Sequence, residues 1–473
     1  MQFLFKLLLI SSLLFVAPYS LNLSAQSDNQ ASQKNKYRKA RVLQASTAKK
    51  ITKVVEALER QDEEGKDDPD WITVKEILNE LLANKDNLKS YDRSVMWNYW
   101  GYVYFSEEKY DRAMNAYEQL LNEPEATIPL RTASLFTVAQ LYMVQGDFKK
   151  GIQYILQWMN EVETVTAQSY SLLATAYYQI DEFIKAKDAM LEAVRLAEEV
   201  EEYRPKENWY VLLGACYSEL ADQKVITKQE SLEKQLDIYE ILVNYYPKKL
   251  YFLQLGGVYG QMNRELDYMI TLKAAYQKDL LDKEQEYMTL AQLLLLNKNP
   301  YWAARVIVDG QNKKVLVKNE ETEEETLKPV VADKFKTLKT LADAWRMAQE
   351  IDKAIPVLEK AAKLAKDGET YILLGNLYLF EDRLDEAIVA IQNGIKKGKL
   401  KKTSQAHLVL GQAYFELENF SDAKKYFRMA ARDDDKVIKK TANSWIKYAE
   451  NEEIRVKNLA LRRDFIQHSK PKS

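Results

Sequence analysis

SQAHLVLGQAYFELENFSDAKKYFRMAARDDD, residues 404–435, holds two amphipathic segments in a row. Leu410, Gly411 and Tyr414 share one face of the first, and Ala423, Phe427 and Ala430 share one face of the second, at the spacing of a helix. A turn at Glu418–Asn419 separates them. Two helices joined by so short a turn fold back on each other and cross at close range. Gly411 permits the crossing, because a branched side chain there would overpack it by about 1–3 kcal/mol. Cutting a filler such as Leu410 or Tyr414 to Ala would cost about 2–5 kcal/mol. One pair cannot bury both apolar faces, so pairs of this kind stack and share their stability with neighbours.

These residues resemble a tetratricopeptide repeat (TPR), whose pattern places Leu, Gly or Ala, and Tyr at repeat positions 7, 8 and 11, then Ala, an aromatic and Ala at 20, 24 and 27. Aligned on position 8, the chain gives Gly101, Ala139, Ala174, Gly214, Gly256, Ala291, Ala342, Gly375 and Gly411. Position 11 gives Tyr104, Tyr142, Tyr177, Tyr217, Tyr259, Leu294, Trp345, Tyr378 and Tyr414. The second helices supply small-then-large pairs such as Ala113 and Tyr117, Gly151 and Ile155, Ala186 and Met190, and Ala387 and Ile391. The resemblance covers residues 94–435. It implies an all-α fold, a right-handed superhelical α-solenoid of about nine helix pairs with helical caps at its N- and C-terminal ends.

Successive position-8 residues are unevenly spaced, for example 139 − 101 = 38 and 342 − 291 = 51. The excess is assigned to connections. An insertion at 221–229 delays the second helix of the fourth pair and leaves Gln235 at the usual Ala position, with Tyr239 and Leu242 behind it. In the fifth pair Tyr268 stands where Ala is expected, which calls for a wider crossing. A longer insertion at 317–333 carries Glu320, Glu321, Glu323, Glu324 and Glu325 before Pro329, and reads as an exposed acidic loop or a shift between two halves of the solenoid.

Residues 1–25 combine Lys6, an apolar run from Leu7 to Ala17, Pro18 and small residues at Ser24 and Ala25, the pattern of a cleavable signal peptide. This places the protein in the periplasm; the alternative is an inner-membrane anchor through residues 3–23. Residues 26–93 form a basic arm followed by a helical cap or degenerate first repeat. The arm, residues 34–53, holds eight cations and no acid, and a contact with anionic lipid or an acidic protein surface would use them. The helical spacing of Val42, Ile51, Val54, Val55 and Leu58 favours instead a solvated helix with a buried stripe, followed by a helix carrying Trp71, Val74, Ile77, Leu78 and Leu81. Residues 436–473 read as two capping helices, one with Val437, Ile438, Trp445, Ile446 and Tyr448 and a more polar one with Ile454, Leu459, Leu461 and Phe465, then a tail from His468.

Removing the signal takes away only Lys6, so 68 − 1 = 67 cations face 70 acids, a balance that gives no footing for nucleic-acid binding. Cys216 is the one cysteine, so no internal disulfide forms, and its place on an inner helix face suits a small core hydrophobe better than a nucleophile. Two histidines, His407 and His468, stand far apart, and P-loop, H-E-x-x-H and paired-cysteine zinc spacings are absent. Gly256, Gly257 and Gly260 superficially suggest a phosphate loop, but their repeat positions place them on a helix. The chain therefore reads as a non-enzyme with no cofactor or metal.

In TPR proteins the first helices line a concave groove. The resemblance implies a partner-binding groove of Asn98, Tyr102, Phe105, Gln140, Met143, Thr175, Tyr178, Gln179, Met288, Gln292, Asn376, Phe380, Gln412 and Phe415. Aromatic and amide side chains dominate it, and its few cations, Lys339 and Arg346, sit beside Asp343. This departs from the basic carboxylate clamp of chaperone-binding TPR domains, so the expected ligand is a neutral or apolar peptide or a partner helix, not a C-terminal acidic peptide. Tyr245–Met269, YYPKKLYFLQLGGVYGQMNRELDYM, is similar in general character to TPR proteins that accompany TonB systems. That likeness would imply an adaptor in an envelope complex linked to TonB-dependent transport. Alternatives are an assembly factor for outer-membrane or secreted products and, in another class, an enzyme with its site in an irregular insertion.

Overall fold

Residues 41–468 of the computed structural model are described below, apart from 63, 200–203, 319–322, 324 and 433. The signal peptide at 1–25, the alternative anchor at 3–23, the arm before Arg41 and the tail beyond His468 lie outside the described residues. The chain divides into two units, residues 1–242 and 243–473, so the boundary falls inside a helix and not at the acidic insertion.

In the first unit, α1 (Ala45–Leu58) and α2 (Trp71–Ala83) precede three helix pairs: α3 (Ser90–Ser106) with α4 (Tyr110–Leu121), α5 (Ile128–Gln145) with α6 (Phe148–Glu161), and α7 (Ala167–Gln179) with α8 (Phe183–Glu198). A fourth pair, α9 (Glu207–Asp222) and α10 (Lys228–Tyr245), runs to the boundary. Ile51 and Val54 of α1 pack with Val74, Leu78 and Leu81 of α2 and with Val95 and Met96 of α3. The Asp92 carboxylate on α3 accepts from Gln44 N–H at 2.9 Å, capping α1 from a neighbouring helix. Val42 lies before the first turn of α1 and is 78% exposed, so it does not belong to the buried stripe.

The second unit holds α11 (Lys249–Gln261) with α12 (Glu265–Gln277), α13 (Glu284–Leu296) with α14 (Pro300–Asn312), α15 (Phe335–Met347) with α16 (Ile351–Leu364), α17 (Glu369–Phe380) with α18 (Leu384–Lys397), and α19 (Thr403–Glu416) with α20 (Phe420–Ala430). A long helix, α21 (Lys436–His468), follows. In each unit consecutive pairs pack on one another in chain order, an all-α solenoid.

One turn recurs. Glu108, Gly146, Asp181, Asn263, Lys298, Gln349, Asp382 and Glu418 each adopt positive φ seven residues after the small crossing residue of their pair. The next residue's N–H then returns to the carbonyl of position 11, as Asn419 N–H does to Tyr414 at 2.9 Å and Asp147 N–H to Tyr142 at 2.9 Å. This left-handed turn stops the first helix and aims the second back along it.

The fourth pair departs from this rule, but not by the loop that was expected. Its left-handed residue is Lys224, ten residues after Gly214, so α9 is longer and residues 221–222 and 228–229 are helical. The buried small residue beneath α9 is then Ser231, whose hydroxyl donates to the Tyr217 carbonyl at 2.9 Å. Gln235, expected in that place, sits one turn further on and donates to the Ser231 hydroxyl at 2.9 Å.

The acidic insertion is also more ordered than an exposed loop. β1 (Lys314–Lys318) pairs antiparallel with β2 (Glu325–Pro329), placing Leu316 opposite Leu327. Val330 and Val331 then drop into the core, where Val331 N–H donates to the Gly310 carbonyl at 2.9 Å. Glu323 and Glu325 are exposed; Glu320, Glu321 and Glu324 lie outside the described residues.

At the C-terminal end, the two expected capping helices are one continuous helix of 33 residues. Its inner face caps as far as Val456: Ala449, Trp445, Ile446 and Val456 pack against Phe415, Phe420 and Phe427. Its outer face does not, since Ile454, Leu461 and Phe465 are 58%, 67% and 74% exposed.

Candidate functional site

All nine position-8 residues are buried, and at four of the five glycines among them the ring or branch that crosses leaves little room. A Cβ added at Gly411 would lie 2.6 Å from the Phe427 ring, and one at Gly101 would lie 2.5 Å from that of Tyr117. In the fifth pair the large residue is Tyr268 itself. A Cβ at Gly256 would meet its ring at 2.6 Å and one at Gly260 at 3.4 Å, so two glycines a turn apart make the space that a wider crossing was expected to supply. Both lie inside α11, which disposes of the phosphate-loop reading.

The position-11 aromatics join neighbouring helices through their hydroxyls and faces. Tyr142 and Tyr154 stack at 5.5 Å, and their hydroxyls donate to the same Glu118 Oε1 at 2.7 and 2.9 Å. Burial first, and then the bond to Glu118, pushes the Tyr154 phenol up to about 12 and that of Tyr142 further. A cation from the second helix covers many of these rings, as Lys150 does over Tyr142 at 4.9 Å and Lys353 over Trp345 at 4.8 Å. These contacts define the faces on which the expected groove side chains are carried.

The structure splits the expected groove residues into three groups. Gln140, Met143, Met288 and Phe415 are buried and are not available to a partner. Met143 fills the space over Gly151, where a Cβ would lie 2.7 Å from its Cγ. Phe415 is covered by α21, with Trp445 at 5.4 Å and Tyr448 at 5.2 Å. Asn98, Tyr102, Phe105, Thr175, Tyr178, Gln179 and Gln412 are half-buried. Several of these are engaged within the fold: Tyr102 lies 6.0 Å from the Trp71 ring, Thr175 donates to the Ser171 carbonyl at 2.8 Å, and Tyr178 reaches Glu219 at 3.4 Å. Burial raises the Tyr178 phenol to about 12, with the Glu219 charge adding to it. Gln292, Asn376 and Phe380, all in the second unit, are exposed.

Two further residues belong with this last group. Leu296, Met347 and Phe380 hold the same position at the ends of α13, α15 and α17, and are 66%, 52% and 74% exposed. Each has a polar partner one turn earlier on its helix: Gln292, Asp343 and Asn376. Carrying position 13 through every repeat, instead of selecting residues by type, finds Leu296 and Met347 from sequence. Asp343 is held by Lys339 at 3.3 Å and Arg346 at 3.6 Å, so the cations beside it are paired.

No group of three or more His, Cys, Asp or Glu side chains could hold a metal ion among the described residues. Cys216 is fully buried, and desolvation pushes its thiol up to about 12. His407 is half-buried, which lowers its basicity. No described helix is long and apolar enough to cross a membrane.

Two tetratricopeptide-repeat family models match the chain, at residues 372–437 and 167–200. No curated protein matches it. Among solved structures, the crystal structure of MamA protein is 20% identical with a TM-score of 0.32, over 40% of this chain and 92% of that one. YrrB, described as a TPR protein with an unusual peptide-binding site, is 15% identical with a TM-score of 0.31, over 42% and 90%. The TPR2AB domain of yeast Sti1, in complex with pHSP90, is 13% identical with a TM-score of 0.32, over 60% and 98%. Likenesses this distant say nothing of partners. The matched segments fall on α7 with α8 and on α17 through α20, and the buried small residue at the helix crossing recurs in the pairs between and before them; the chain carries tetratricopeptide repeats in these segments.

Proposed function

We propose that this protein is a non-enzymatic scaffold, exported to the periplasm, whose second unit holds a neutral or apolar peptide or one face of a partner helix in a cell-envelope complex. The observation that carries this reading is the series Leu296, Met347 and Phe380, exposed in three successive pairs with Gln292 and Asn376 one turn away. Exposed apolar side chains repeated in register supply contact area, and amides beside them can hold an extended backbone. The paired cations of Lys339 and Arg346 leave no clamp for a terminal carboxylate. A link to TonB-dependent transport is the finer form of the proposal, resting on the likeness of residues 245–269.

Photo-crosslinking in cells tests the surface, with probes at Met347 and Phe380 and a control at Ile270 on α12, which is 53% exposed. Defined adducts from the first two positions support it. Adducts from Ile270 alone would overturn it. N-terminal sequencing of the envelope fraction tests export, with Gln26 expected as the first residue. Growth of a deletion strain under iron limitation tests the transport link; normal growth without any crosslinked TonB-system component would remove it and leave an assembly role as the surviving reading.

A further inference from the structure

From Lys457 on, α21 is exposed residue by residue, and its surface is not that of an ordinary solvated helix. At about 100° per residue, Lys436, Lys440, Lys447, Ile454, Leu461 and Phe465 fall on one solvent face, opposite the face that packs Ala442, Ala449 and Val456 inward. All six are exposed, as is every residue from Lys457 to His468. Lys439, Lys457 and Arg462 flank the stripe, against Glu450 on it and Asp464 at its border. Glu453, by contrast, is held by Lys424 at 2.5 Å and by Lys457 at 3.0 Å, so of the flanking cations Lys457 is paired. Among the described residues, Lys436, Lys439, Lys440 and Lys447 make no ion pair. The helix is therefore sorted lengthwise into an uncompensated basic half and an apolar half rimmed by cations, over about 50 Å at ~1.5 Å per residue.

We infer that this face of α21 docks on an anionic lipid surface, with the lysines over the headgroups and Ile454, Leu461 and Phe465 dipping beneath them. Charge and shape select this occupant. The face is the side of a single helix, indented only by an open hollow among Lys436, Lys439, Lys440 and Lys447, which suits a plane, and its excess of cations calls for a negative one. A second copy fits poorly. Side by side in parallel, two such helices would oppose lysine with lysine. In antiparallel they would overlap through only three apolar side chains each, where a stable interface buries about 800 Å² per partner. Long Lys and Arg side chains at the rim can extend their charges outward while their stems stay with the apolar residues.

The test places an environment-sensitive dye on the stripe of the full chain through Asn458→Cys. The native Cys216 is fully buried and does not compete for the label. Vesicles of phosphatidylcholine with phosphatidylglycerol should brighten and blue-shift the dye, and phosphatidylcholine alone should not. Converting Lys436, Lys440 and Lys447 to Gln should weaken the response by about a hundredfold, at roughly fivefold per cation. Leu461→Ser with Phe465→Ser should abolish the shift, with the far-UV circular dichroism of both variants unchanged. Because the dye reports on α21 alone, a chain that floats with vesicles through another segment while the dye stays unchanged overturns the inference. A shift that grows with protein concentration in the absence of vesicles assigns the face to a second copy and also overturns it. So does an equal response to soluble polyglutamate that survives the loss of Leu461 and Phe465, which would mark an acidic protein partner.

Discussion

Gly411→Ala and Gly214→Ala are the same chemical change at the same repeat position, and the structure gives them opposite signs. Both residues lie inside helices, so each substitution gains about 1 kcal/mol of helix propensity. At Gly214 the nearest neighbour of the new methyl is Ile238 Cγ2 at 3.8 Å, an ordinary contact, so the gain survives. At Gly411 the methyl would lie 2.6 Å from two carbons of the Phe427 ring. That ring is fully buried and stacked 5.5 Å from Trp445, so it cannot swing away without disturbing the cap made by α21. Overpacking of this kind costs about 1–3 kcal/mol. The propensity gains cancel between the two variants, and their difference in stability isolates that steric cost. Denaturant unfolding of both variants, with hydrogen exchange on α19 and α20 because a repeat array can open in parts, reads it out. Gly214→Ala should be stabilised and Gly411→Ala should open earlier at the C-terminal pairs. Phe427→Leu should relieve the second effect. Equal shifts in the two variants, or no relief from Phe427→Leu, would refute the close-crossing argument.

Cys216 should be inert to a disulfide reagent in the native protein at pH 8 and react only on unfolding, because burial holds its thiol at about 12. Tyr99, Tyr154, Tyr178 and Tyr378 each ionise at about 12 when folded and near 10 when unfolded, so their stabilising contribution is complete below pH 10 and disappears as pH rises through 12. Helix loss followed by circular dichroism should accompany their tyrosinate absorbance; ionisation near pH 10 with the helices intact would contradict it. Glu418→Gly, at a positive-φ turn, should stabilise by about 1 kcal/mol by relieving the left-handed strain, whereas Glu416→Gly inside α19 should cost about the same, as thermal unfolding will show. Phe415→Ala should cost about 3–5 kcal/mol, while Phe380→Ser should stay within about 0.5 kcal/mol and lose the crosslinked partner.

Residues 404–435 are enough to recognise the helix pair, because a small residue under a crossing and an aromatic beside it are local requirements that no other part of the chain can waive. The same requirement located the other crossings and kept Gly256 and Gly260 out of a phosphate loop. Even the left-handed turn is fixed by spacing, though its residue type is not: only Gly146 announces it, and charged or amide residues fill the other seven places at a strain their packed helices absorb. The sequence could not show where a helix would simply be longer. Residues 221–229 look like an inserted loop in one dimension, yet 221–222 extend α9 and 228–229 open α10, which leaves only a turn at 223–227 and brings Ser231, not Gln235, beneath the crossing. Burial at the candidate site was likewise a tertiary decision. Phe415 and Phe380 are both aromatic residues near the ends of first helices, but α21 lies across one and leaves the other 74% exposed. A repeat pattern states which way a side chain points from its own helix; whether that direction meets solvent depends on what the rest of the chain lays over it.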